Sequence, residues 1–325
     1  MTVRLATCVA ILCTAAVAAP AAAAQYRYER DGVWLDLDRR PSLLEGWNDS
    51  MRVRVGRDGR GLQQFSRGRW VHSIDDNAIE GLWSHARWVR TGHRRHLRRA
   101  ERLAGWLARG QRERTGLYPL YWSYNVGEGL GRPLWLRPGW YGANVQGEAV
   151  SLLTRLYRAT GKRRYLRQAR LALRSFRRPV GRGGVVSTFL DTGLPFYEGY
   201  ATLPVRMHTL AHMLYAMIGL YDMSDLSPAA DRLFRHGLAT VDRALPYYDD
   251  GQGRAVGWLL HLTDPPRPAG AVSGYFQEAL VSQVRALASI NPSRPLQQYR
   301  DRWAGKLAEI CVNPVEQCAF PHPSG

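Results

Sequence analysis

Cysteine is nearly missing from this chain. Of four in 325 residues, Cys8 and Cys13 fall close to the N-terminus, which leaves Cys311 and Cys318 for the rest. That scarcity excludes a disulfide-stapled scaffold and a cysteine-rich metal module. In an oxidising compartment a single Cys311–Cys318 bridge is the simplest reading, closing a short loop through Asn313 and Pro314. The nearby His322 does not complete a zinc set with them. Acid is scarce as well: 27 Asp and Glu stand against 45 Lys and Arg, a formal net charge of +18 and a pI near 10.3. A field of that sign attracts polyanions. No helix-turn-helix, zinc-finger or RNA-binding signature is present, which sets nucleic acid aside. Long apolar runs are also missing, so stable membrane insertion is not expected. An acidic polysaccharide remains the favoured partner, with much of the arginine on solvated helix faces.

What is there begins with a leader. Arg4, the apolar Leu5 to Val17 and the small residues Ala18 to Ala24, broken by Pro20, have the pattern of a secretory signal peptide. Export to the periplasm or the extracellular space is therefore expected. Leu12 before Cys13 is too large for a lipidation site. Residues 25–71 are polar and Gly/Arg-rich, with alternating runs at Val33–Leu37 and Met51–Val55 that predict short strands. From residue 72 to 310 the period is helical. Thr91-Gly92-His93-Arg94-Arg95 is echoed by Thr160-Gly161-Lys162-Arg163-Arg164, each joining two amphipathic helices through a glycine C-cap. Further pairs span Leu210–Tyr221 with Ala229–Leu245, and Tyr275–Ile290 with Leu296–Ile310. Repeated helical hairpins predict a mainly α fold, an α/α toroid or solenoid, behind a short, partly β N-terminal segment. A tail, 311–325, would be pinned by the disulfide. The loops 111–140, 179–203 and 246–272 hold most of the Gly, Pro, Tyr and Trp, and would gather at one mouth.

The densest run of site-like chemistry is 136–151. Arg137, Trp140, Tyr141 and Gln146 follow a Pro-Gly turn into a helix, with Gly142 and Gly147 open to close approach. Aromatic faces suit sugar rings, amides suit hydroxyls, and the cation suits an acid group. An aromatic-capped helix start is the plain alternative.

These blocks, taken in order, resemble the C-terminal domain of D-glucuronyl C5-epimerases over roughly residues 72–308. The matching segments are Trp106–Gln111, Gly127-Glu128-Gly129, Leu136–Tyr141 with Gln146-Gly147, Tyr197–Tyr200, Leu214–Asp222 and Pro246–Asp249. The resemblance implies the toroid fold, uronate inversion in heparosan-type polymers, and proton transfer by tyrosines, which correspond here to Tyr200 and Tyr275. It also exposes departures. The second acid of the family's YEEYP block is Gly199, and its Pro is Ala201. Val256–His261 has lost the Tyr and Arg of YDLRH, and Ser273–Glu278 has lost both His of WDYHxxH.

Inverting C5 removes a proton beside a carboxylate and returns one from the other face. It needs an acid/base group on each face and cations for the developing charge. Tyr200, Tyr275 and Glu198 are the candidate proton carriers; Glu198 can also partner a Tyr hydroxyl or cap a helix. Arg137, Arg206 and His261 are candidate cations, which would lower a tyrosine's pKa. Glu128, Trp140, Tyr141, Gln146 and Tyr197 are candidate sugar contacts. His208 and His212 share a helix face without an obvious third ligand, so no metal is expected, and no cofactor motif is present. A lyase, a glycoside hydrolase using Glu128, Glu198 and Asp249 or Asp250, and a non-catalytic glycan-binding homologue remain open readings.

Overall fold

A computed structural model describes residues 53–55, 61–64, 70–72, 74–126, 133–255, 259–261, 267–269 and 274–312. The leader, the Val33–Leu37 run, Glu128 and Cys318 lie outside the described residues, as do the side chains of Tyr275, His261 and Cys311. A three-stranded antiparallel sheet comes first: β1 (Val53–Val55), β2 (Gly61–Gln64) and β3 (Trp70–His72). Among the described residues four helical hairpins follow. They are α1 (Ile74–Thr91) with α2 (Arg94–Gly110), α3 (Ala143–Thr160) with α4 (Arg163–Ala172), α5 (Leu210–Met223) with α6 (Pro228–Ala244), and α7 (Gly274–Ile290) with α8 (Arg294–Val312).

The repeated Thr-Gly turn is the same object in both copies. Gly92 (φ 70) and Gly161 (φ 68) sit in the left-handed region and donate to the Trp88 and Tyr157 carbonyls, 2.8 Å away in each case. The Thr91 and Thr160 hydroxyls donate back to Arg87 and Leu156 and accept from the His93 and Lys162 amides. Every hydrogen bond of one turn has its counterpart in the other, so the sequence echo is a structural repeat.

Helices α1, α3, α5 and α7 neighbour one another in turn, and each partner helix packs outside its own inner helix. Inner and outer layers differ in composition accordingly. Helix α3 is buried continuously from Ala143 to Leu156, whereas α4 buries only Tyr165, Ala169 and Ala172. The α3–α5 crossing is a backbone contact. A Cβ on Gly219 would lie 2.0 Å from the Gly147 carbonyl oxygen, and one on Gly147 would lie 2.5 Å from Ala216 Cα. Further along both helices Arg155 and Asp222, each 1% exposed, form a buried pair. Arg155 Nε and Nη2 donate to the carboxylate at 3.0 and 3.2 Å, and the Ser151 hydroxyl donates to it as well.

The three long loops are not structureless. Each carries a two-stranded antiparallel ribbon: β4 (Tyr124–Asn125) with β5 (Trp135–Leu136), β6 (Val186–Thr188) with β7 (Pro195–Tyr197), and β8 (Leu259–His261) with β9 (Arg267–Ala269). Among the described residues no helix is long and apolar enough to cross a membrane.

Candidate active site

Because the inner helices follow one another through hairpins, their N-termini share one rim. Asp75 opens α1, Asn144 and Glu148 lie in the first turns of α3, His212 in the first turn of α5, and Tyr275 is the second residue of α7. The loop residues are locked onto that rim by main-chain bonds. The Ala143 amide donates to the Glu198 carbonyl at 2.8 Å and the Ala201 amide to the Tyr141 carbonyl at 3.2 Å. Gly142 permits this approach, since a Cβ there would lie 1.9 Å from the Gly199 carbonyl oxygen. Close backbone contact at Gly142 and Gly147 is what their lack of a Cβ predicts.

An aromatic cluster fills the resulting corner. Trp140 lies 6.1 Å from Tyr200 and stacks on Tyr124 at 6.3 Å and 19°, with Trp122 edge-on at 5.7 Å. The Trp140 indole donates to the Trp122 carbonyl at 2.9 Å. Tyr124 also reaches Tyr200, 6.3 Å between centroids, and the His212 ring meets Tyr200 edge-on at 5.0 Å. Gly199 belongs to the same contact: a Cβ there would lie 1.9 Å from His212 Nδ1. The imidazole therefore occupies the space that a side chain at 199 would enter.

Electrostatically this corner is buried, and among the described residues no cation contributes to the shift of Tyr200. Burial pushes the Tyr200 hydroxyl well above its ordinary value, and the hydrogen-bonded Tyr124 and the charge of Asp75 add to the shift. Burial holds His212 down, to about 3, so its ring is neutral. Glu148, 2% exposed, is raised well above the carboxylate range by burial, then by the charge and hydrogen bond of Asp75 and the charge of Asp76. Asp75 is raised by burial too, with the Glu148 hydrogen bond opposing. A buried carboxyl pair in contact shares a proton more readily than it carries two charges. The arginines expected to lower the Tyr200 pKa do not govern it. Arg137 is exposed, and Arg206 donates to the Leu203 carbonyl at 2.6 Å. Arg206 and Arg112 act instead on Tyr141, whose hydroxyl burial raises and these two charges pull back.

Glu198 holds the frame beside the cluster. It is 1% exposed. Its Oε1 lies 2.9 Å from His208 Nδ1 without hydrogen-bond alignment and accepts from the Ser187 hydroxyl. Its Oε2 accepts the His208 amide at 3.2 Å. His208 stands at φ 45, in the left-handed region, a costly conformation for a non-glycine residue. The Tyr248 hydroxyl donates to the His208 carbonyl, so Glu198 and Tyr248 together pin that strained residue.

The rim thus brings together Trp140, Tyr141 and Tyr200, with the backbone of Tyr275 on a neighbouring helix start, where the helical period placed it. Two expected sugar contacts face elsewhere. Tyr197 is 0% exposed, packs on Phe176 at 5.3 Å and donates to the Leu233 carbonyl at 2.6 Å. Gln146 clamps Tyr118, accepting from its amide at 2.9 Å and donating to its carbonyl at 3.1 Å. The sequence reading missed Asp75, Glu148 and Tyr124, and it raised His212 only as one of a histidine pair without a third metal ligand. Polar residues on helices that prove buried all round were the available signal. Among the described residues no group of three or more His, Cys, Asp or Glu is arranged to hold a metal.

A corner of aromatic and proton-bearing groups at the rim of an α/α toroid defines the class, and solved structures share that fold. The cellobiose 2-epimerase of Spirochaeta thermophila aligns with a TM-score of 0.53 at 14% identity, over 90% of this chain and 73% of that one. The α-1,6-mannanase of Salegentibacter aligns with 0.52 at 13%, over 84% and 70%. Within that class, the model of the D-glucuronyl C5-epimerase C-terminus matches residues 111–305, and the chain belongs to that family. The D-glucuronyl C5-epimerase of Caenorhabditis elegans is 32% identical over 217 residues, 62% of this chain and 34% of the relative. An uncharacterised protein of Methanocaldococcus jannaschii is 31% identical over 137 residues, 41% of this chain and 43% of that one. The chain therefore spans less than half the length of these curated relatives.

Proposed function

We propose that this protein is an exported carbohydrate epimerase that inverts C5 of uronate residues in an acidic, heparosan-like polysaccharide. The observation carrying the proposal is the placement of Tyr200, in a matched family block, between the aromatic faces of Trp140 and Tyr124 and the neutral His212 ring. In the reaction the C5–H bond breaks, and its electron pair spreads into the adjacent carboxyl group. A new C5–H bond forms from the opposite face, with no redox change. Burial keeps Tyr200 as a phenol, so its role is to deliver a proton to C5 and become the phenolate, while Tyr275 on α7, starting as the phenolate, takes the C5 proton on the other face and becomes the phenol. Arg206, Arg112, Arg137 and His261 supply positive charge for the uronate. Trp140, Tyr141 and Glu128 line the sugar. Glu198 is a positioning residue, because both its oxygens are engaged.

The hydrolase reading loses Asp249 and Asp250. Asp249 accepts from Arg302 Nε at 2.8 Å and from the Trp303 indole at 2.9 Å, and Asp250 is tied to Arg254.

The experiment is incubation with heparosan in deuterated water. Deuterium at C5 with unchanged chain length is expected, and Tyr200→Phe should lower the exchange rate at least about a hundredfold with the fold intact. Unsaturated ends would mean a lyase and new reducing ends a hydrolase. Binding without exchange would mean a glycan-binding homologue.

A further inference from the structure

The outer face of the second hairpin carries a feature that the rim chemistry does not use. A groove of about 1190 Å³ lies where α4 packs beside the end of α2, lined by Arg109, Arg163, Arg167, Arg170 and Arg174 against one acid, Glu113. All five arginines are exposed. Four of them recur at intervals of four, three and four along α4 and its continuation, the spacing of one helix face. Tyr157 and Leu166 add apolar floor.

On their own these charges destabilise what they sit on. Like charges three and four residues apart repel. The first turn of α4 also places Arg163 and Arg164 at the positive end of the helix dipole, with no acid there to offset them. Several surface cations outside the groove have acidic partners, as in Arg158–Asp225, Lys162–Glu101 and Arg235–Asp231. The groove gathers five arginines on one shaped surface.

It also leads to the rim. The segment after α2 is stitched to the far half of α4. Gln111 Nε2 donates to the Gln168 carbonyl at 3.1 Å and Arg174 Nη1 to the Glu113 carbonyl at 3.2 Å. A Cβ on Gly116 would lie 1.9 Å from the Leu171 carbonyl oxygen. Between the groove residues Gln111 and Glu113 stands Arg112, whose charge acts on Tyr141 at the rim and whose guanidinium borders Gly139.

We infer that this arginine groove is an exosite for an acidic polysaccharide, holding a stretch of the polymer whose neighbouring stretch lies at the rim. The inference rests on the uronate-polymer reading of the rim. A regular row of carboxylates along a flexible chain matches a row of guanidinium groups along a helix, which bind oxyanions in a planar fork. Binding of this kind releases counterions and is steeply salt-dependent.

The test compares two charge-matched variants. One changes Arg163, Arg167, Arg170 and Arg174 to Gln. The other changes Arg94, Arg98, Arg102 and Arg285, which are exposed outside the groove. Affinity for long heparosan is measured against salt for both, alongside C5 exchange on long heparosan and on a heparosan tetrasaccharide. The groove variant should lose about tenfold or more in affinity and flatten the salt dependence. Its KM for long polymer should rise while exchange on the tetrasaccharide is unchanged. Wild-type affinity in the groove variant, or an equal loss in the control, overturns the exosite. So does a groove preference for duplex DNA over heparosan. The affinity measurement decides the exosite even if no protein exchanges deuterium, an outcome that defeats the epimerase reading alone.

Discussion

Helix α3 buries fourteen consecutive residues, from Ala143 to Leu156, while α4, beginning one short turn later, presents four exposed arginines. Both segments are rich in polar side chains, yet the same residue types face opposite physical demands. On α3 an unmatched polar group costs its full desolvation, and although Asn144 Oδ1, Glu148 Oε2 and Thr154 Oγ1 lack a hydrogen-bond partner, the larger polar side chains find partners inside the protein. Gln146 answers to Tyr118, Arg155 to Asp222 and Glu148 to Asp75. On α4 polarity is solvated and cheap, and only its patterning carries information. Chemistry in this fold is therefore concentrated where polar residues interrupt an otherwise buried helix.

The sharpest way to break the comparison is at the inner crossing. Gly219→Val should destabilise by about 3 kcal/mol or more, since its side chain must enter the Gly147 backbone. Chemical denaturation would measure the loss, and a mild effect would mean that α3 and α5 can separate freely. Next in size is Asp222→Ala, which strands the buried Arg155 guanidinium and should cost about 3 kcal/mol. The double change Arg155→Met with Asp222→Leu should recover most of that loss.

The rim groups divide by pH. Glu148 has a folded pKa raised above its unfolded value, so the native state binds the extra proton. Its contribution is present below the carboxylate range and is lost as pH rises through the folded value. His212 is lowered to about 3, so its contribution is present above about 6.5 and is lost as pH falls toward 3. Thermal melts should show Glu148→Gln flattening the alkaline limb and His212→Asn the acid limb. Parallel profiles for wild type and variants would contradict the buried assignments. The smallest effect belongs outside: changing the four groove arginines to Gln should raise stability by about 1 kcal/mol or less, by removing like-charge repulsion.

The same contrast explains what could be read in advance. The hairpins, the Thr-Gly turns and the boundaries near Leu210 and Ile290 were legible, because amphipathic periodicity and glycine caps are local signals. So was the cluster around Trp140 and Tyr200, through ordered motifs. The Asp75–Glu148 contact was not legible. It joins two helix starts far apart in sequence, and on a helix buried on all sides the hydrophobic period no longer separates inside from outside. Gln146 and Tyr197 misled for a related reason, since amide and phenol groups suit a sugar and a backbone carbonyl equally well. The three loops were expected as irregular segments; their short ribbons pair only a few residues each, too few for alternation to show.

The contact between Gly199 and His212 has a consequence for how this corner can change. With Nδ1 standing where a Cβ would be, the two positions cannot be altered in either order with equal result. An acidic residue introduced at 199 while the imidazole is present meets a steric barrier, whereas a smaller residue at 212 first opens the space and makes the same introduction tolerable. Substitutions here are contingent on sequence history, and a library that varies 199 alone would find only glycine. One that varies both positions should recover paired solutions.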